Sequence, residues 1–87
     1  MSALPSTPSS SIVVQGSHLM SGLLGPRDSH LRLIESAFKD SEIIVRGNEI
    51  AIVGDSAVLI SRLFEELVLL LRRGEPVDET VVKRSVA

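Results

Sequence analysis

The sequence has no cysteine, tryptophan or tyrosine, and only two phenylalanines, Phe38 and Phe64. Without cysteine there is no disulfide scaffold, no Cys-ligated zinc and no Cys nucleophile. That absence also fits a reducing cytoplasm, the expected location. Without Tyr or Trp there is no aromatic platform for stacking bases, and both Phe residues fall on apolar helical faces, where they read as core. An excess of one charge is missing too: nine basic and eleven acidic residues give −2. Strong non-specific nucleic-acid binding runs on counterion release by Lys and Arg, so this balance argues against it. Long apolar runs are also absent. The longest aliphatic run, Leu67 to Leu71, falls far short of the roughly 20 residues of a spanning helix, so no membrane partner is expected. No Lys or Arg precedes Arg27, so the start does not read as a signal peptide. A chain of 87 residues is one domain, too short for a P-loop ATPase, a Rossmann domain or a barrel.

Charge divides the chain. All twenty charged residues lie at or after Arg27. Residues 1–11 hold five Ser, two Pro and one Thr, and such a stretch buries too little to offset its ordering entropy; it is expected to be a disordered tail. Residues 12–73 are expected to fold as the domain, and 74–87 to form a linker and a last helix. About 75 residues then remain to fold, and a domain of that size buries only about 60% of its unfolded surface.

Ile12-Val13-Val14 is a β-branched run between Ser11 and Gly16 and reads as a strand. Leu19, Met20, Leu23 and Leu24 predict a short helix over His18–Leu24. Gly25-Pro26-Arg27-Asp28 interrupts it, and Pro26 with Asp28 favours a new helix start there. Leu31, Ile34, Ala37 and Phe38 continue that helix at the right spacing. Two β-branched runs flank Gly47-Asn48, which predicts a tight hairpin over Glu42–Val53. The loop length pairs Arg46 with Glu49, Val45 with Ile50, Ile44 with Ala51 and Ile43 with Ile52, so Ile43, Val45, Ile50 and Ile52 share one face. Gly54-Asp55-Ser56 offers an N-cap to a long helix ending near Arg73 and Gly74. Asp78 and Glu79, with Lys83 and Arg84 later, have the dipole order of a further helix. That helix has no stop signal and reads as a chain cut short of a following domain.

Chemistry is sparse. Asp28, Ser29 and His30 supply the atoms of a hydrolytic site, but neighbouring residues diverge on a helix, and they read as a solvated first turn. His18 and His30 are the only histidines, and neither has the company a metal site needs. The Walker A pattern is absent, so nucleotide hydrolysis within this chain is excluded. No catalytic residue, metal or cofactor is expected here. Asp78, Glu79 and the pair Glu65-Glu66 read as solvated charges. Arg46 either contacts phosphate or pairs with Glu49.

The order strand, short helix, Gly-Pro corner, helix, hairpin, long helix resembles a type I KH domain: α+β, a small three-stranded sheet with helices on one face, here with an extra C-terminal helix. In that family a GxxG loop between two helices clamps the nucleic-acid backbone. The resemblance implies that Ile12–Val14 is the first strand, and that Leu24, Gly25, Leu31, Ile34, Ile50, Ile52, Gly54 and Phe64 hold the family's core or turn places. LLGPRDSHLRLIE, IIVRGNEIAIVGD, LFEELVLLLRRGE and DETVVKRSVA, in that order, resemble the N-terminal region of PhoH-like proteins, which continue into a P-loop ATPase domain and are often named for phosphate starvation. The resemblance covers about residues 12–87. It implies an accessory domain that presents single-stranded RNA to the ATPase, with ATP and Mg handled only in that further domain. Gly25, Pro26, Arg27 and Asp28 form the implied backbone loop, with Arg32 beside it, and Leu23, Leu24, Leu31 and Ile44 the edge of an apolar groove.

One departure matters. Asp28 stands where the second glycine of GxxG belongs, and a carboxylate repels phosphate by about 1 kcal/mol near a surface. Arg27 through Arg46 carry four positive and four negative charges. The alternative is therefore an assembly or regulatory module that binds no RNA. An apolar stripe of Leu59, Val68 and Leu69, with Val81, Val82 and Val86, would dock on the ATPase domain or a second copy, or pack the last helix onto the long one.

Overall fold

The hairpin anchors the architecture. In the computed structural model, which describes residues 8–86, β2 (Ser41–Arg46) and β3 (Glu49–Gly54) pair antiparallel. Their register is the one that the two-residue loop dictates: Arg46 lies opposite Glu49, Val45 opposite Ile50, Ile44 opposite Ala51 and Ile43 opposite Ile52. Gly47 has φ 58° and is the only positive-φ residue of the turn. One positive φ at the first central position is the II′ form, which selects glycine there.

Strand β1 (Ser9–Val13) adds to the other side of β3, giving the antiparallel order β1-β3-β2. It starts at Ser9, three residues before the expected strand, so Ser9–Ser11 belong to the sheet rather than to a tail. Serine has poor strand propensity, but the ladder to β3 supplies what propensity lacks. Ser10 pairs with Ile52, and its hydroxyl donates to Ser61 Oγ at 3.0 Å. The remainder of the expected tail, residues 1–7, lies outside the described residues.

One face of the sheet carries Ile12, Ile50, Ile52, Ile43 and Val45, and the helices cover it. Helix α1 (Ser17–Leu24), a 3₁₀ turn (Pro26–Asp28), α2 (Ser29–Ala37), α3 (Ala57–Arg72) and α4 (Glu79–Val86) complete the fold. This is an α+β domain whose β-α-α-β-β-α-α order is consistent with the KH-like arrangement. Helix α3 buries Ile60, Leu63, Phe64 and Leu67 against the sheet and α1. Its end is a Schellman cap: Glu75 N–H donates to Leu70 O at 3.0 Å and Gly74 N–H to Leu71 O at 3.0 Å.

Two local expectations are corrected. Ser56 occupies the N-cap of α3, yet its side chain makes no cap bond. Its hydroxyl donates to Asp40 Oδ2 at 3.0 Å and its N–H to Ser41 Oγ at 2.9 Å, tying α3 to the start of β2. The last helix packs chiefly on α2 rather than on the long α3. Val82 is fully buried there, and Asp78 Oδ1 caps α4 by accepting the Val81 N–H at 3.0 Å. Among the described residues, no helix is long and apolar enough to cross a membrane.

Candidate nucleic-acid interface at the Gly-Pro corner

Helix α1 ends because Gly25 leaves the helical region at φ 78° and ψ 171°, and Pro26 then has no N–H to continue the ladder. The Gly25 N–H still donates to Ser21 O at 3.0 Å, and the Asp28 N–H closes the turn on Gly25 O at 3.1 Å. Helix α2 does not start at Pro26 as the sequence suggests. Arg27 (φ 54°, ψ 33°) and Asp28 (φ 59°, ψ 29°) both take left-handed conformations, so α2 begins at Ser29. Asp tolerates that region through its short polar side chain; Arg has no such help, at a cost of roughly 1–2 kcal/mol. The corner is held from both sides, since Leu23 and Ile34 are completely buried in the core.

His30 sits beneath the corner. It is 3% exposed, not part of a solvated first turn. Its Nδ1 lies 3.2 Å from Leu23 O. A carbonyl only accepts, so Nδ1 carries the proton and donates. A Cβ at Gly25 would stand 2.7 Å from two ring carbons of His30, so glycine is required by space as well as by φ. Ser29 Oγ is buried and has no hydrogen-bond partner among the described residues. Asp28, Ser29 and His30 therefore form no hydrolytic arrangement: the imidazole is occupied inward. Among the described residues, no group of three His, Cys, Asp or Glu is placed to hold a metal ion.

Pro26, Arg27 and Asp28 are all exposed, as is Arg32 one turn into α2. On the hairpin side the corner borders an open groove of about 380 Å³, lined by Met20, Leu24, Pro26, Asp28, Val45 and Gly47 among others. Of the four groove residues expected from the sequence, Leu24 lines it. Leu31 is half-buried against the core, outside the groove. Leu23 is fully buried and edges no surface. Ile44 alternates onto the other face of the sheet from Ile43 and Val45. Met20 and Val45 take these places. The Val45 signal was present in the register, which puts Val45 with Ile43 on the helix-covered face.

On its other side the corner faces the segment leading into α4. A cleft of about 610 Å³ separates Gly25, Pro26 and Arg27 from Asp78 and Glu79. Arg27, Arg32 and Glu79 together line an adjoining opening of about 390 Å³. The two arginines thus look onto acidic neighbours, and the groove itself carries one charge, that of Asp28. Across the hairpin end, Arg46 lies directly opposite Glu49.

A PhoH-like protein of Mycobacterium leprae is 38% identical over 71 residues, covering 79% of this chain and 20% of its own length. PhoH-like proteins of Mycobacterium bovis and Mycobacterium tuberculosis are each 35% identical over the same shares. The chain therefore spans about a fifth of the length of these relatives. No family model matches it, and no solved structure does.

Proposed function

This chain is related by sequence to the PhoH-like proteins over most of its length, and from that premise we propose that it is a KH-like accessory domain that holds single-stranded RNA beside a P-loop ATPase domain of a longer, cytoplasmic protein. The single observation that carries the reading is the exposed left-handed corner at Gly25–Asp28, set between two short helices and opening onto a groove edged by Leu24 and Val45. Arg27 projects from it and neutralises a backbone phosphate. Gly25 keeps the backbone free of a side chain, Arg32 adds a second cation, and Leu24 and Val45 offer base faces an apolar surface. The role of the chain is binding, not catalysis; ATP and Mg belong to the further domain.

The carboxylates of Asp28, Asp78 and Glu79 oppose phosphate from two sides, so the expected affinity is modest, with Kd on the order of 0.1–1 mM at low salt. An NMR titration with a short single-stranded RNA tests this. Amide shifts confined to residues 20–32 and the hairpin end support the reading. No shifts at Gly25–Arg32 with millimolar RNA overturn it.

A second reading has its own support. Val58 and Leu59 are 53% and 59% exposed at the start of α3, an apolar step that RNA binding at the corner does not use. As an assembly or regulatory module, the domain would seat this step on the ATPase domain.

A further inference from the structure

We infer that β1 and α3 together form a two-fold interface between two copies of this chain. The inference is independent of whether the corner contacts RNA, because it concerns a different edge of the molecule. β1 ends the sheet. The Val14 N–H donates to Asn48 O at 2.8 Å and the Gly54 N–H to Pro8 O at 2.8 Å. In an antiparallel ladder these bonds fall on alternate residues, so the even-numbered positions of β1 bond to β3. Ser9, Ser11 and Val13 therefore turn their N–H and C=O groups toward the free edge. Val13 is 55% exposed there.

Beside that edge runs a groove of about 440 Å³ between β1 and α3, lined by Ser11, Ile12, Val13 and Val14 on the strand and by Glu65, Val68, Leu69 and Arg72 on the helix. Leu69 is 54% exposed in the last turn of the long amphipathic α3. The order along the helix identifies the occupant. An acid stands at one end, a base at the other, and two apolar residues between them. A two-fold axis normal to the sheet runs α3 antiparallel to its copy. Glu65 of each copy then meets Arg72 of the other, and the Val68 and Leu69 pairs close on themselves. The same axis sets β1 antiparallel to β1, with Ser11 opposite Ser11 and Ser9 opposite Val13. All the outward groups are then used, for about six inter-strand bonds. A strip that is its own electrostatic complement under rotation fits a second copy of this chain; a foreign partner requires no such symmetry.

Sedimentation of the 87-residue chain tests the assignment. Between about 10 µM and 1 mM the weight-average mass should climb from 9.4 kDa toward twice that value. Leu69→Glu changes an exposed residue, so the fold should survive with an unchanged far-UV spectrum, and self-association should weaken at least tenfold. Glu65→Arg and Arg72→Glu should each weaken it, since each places like charges together twice. Mixing those two variants in equal amounts should restore the dimer, because each then supplies what the other lacks. A strict monomer at 1 mM overturns the inference. So does a dimer that Leu69→Glu leaves intact, or a mixture that fails to rescue. Chemical shifts at Ser11 and Leu69 that appear only with an added foreign peptide also overturn it and give the groove to another partner.

Discussion

The ring of His30 lies so close beneath Gly25 that a methyl group on residue 25 would meet two ring carbons at 2.7 Å. The corner that faces solvent is thus supported from below by a buried imidazole, itself fixed by its bond to Leu23 O. Gly25→Ala should therefore cost about 2–4 kcal/mol, adding a left-handed penalty to overpacking. Urea denaturation measures it. A loss below about 0.5 kcal/mol would mean that the contact relaxes freely.

Arg27 and Asp28 separate strain from function. Arg27→Gly should relieve the left-handed conformation and raise stability by about 0.5–1 kcal/mol, after allowing for the entropy that glycine adds to the unfolded chain. It should also weaken RNA contact. Asp28→Gly should change stability by less, because Asp tolerates the region, and should strengthen RNA contact by removing a carboxylate. Thermal melts should therefore distinguish the two variants by the size of the shift, and RNA titrations by its direction.

Glu79 shares an opening with Arg27 and Arg32. Glu79→Gln should tighten RNA binding roughly two- to fivefold at low salt, with the gain shrinking as salt rises. Its cost to α4 should be about 0.3–1 kcal/mol, the loss of one acid from a helix N-terminus. Binding measured at two salt concentrations checks both the sign and the screening.

Val82 is fully buried although it lies in the last helix. Val82→Asp should release α4 from α2, lowering helical ellipticity and costing about 3 kcal/mol or more. Hydrogen exchange should then show new exposure along α2 near Leu33, with β2 and β3 still protected.

The hairpin was legible because two independent constraints agree: side-chain alternation and loop length each fix the same register. The Gly-Pro corner was legible as an interruption, since Pro26 and Gly25 act locally. Its left-handed pair was not, because nothing in the local chemistry of Arg27 asks for that conformation; it is imposed by helices packed on either side. His30 lay partly beyond local reasoning for a similar reason. Its place four residues before Ile34 sets it on the buried face of α2, but its seat beneath Gly25 follows from how α1 and α2 meet. Strand β1 reached back through three serines because β3 offered unpaired amides, a long-range cause that composition hides. The groove was half legible: the register that placed Val45 inward also placed Ile44 outward.

The central place of β3 has a consequence for the order in which this molecule comes apart. Strand β3 alone among the described strands is paired on both sides, whereas the serine-built strand beside it has little side-chain bulk to retain it. Deuterium should enter the N-terminal strand first and the middle one last, so that the sheet unzips from its serine margin inward.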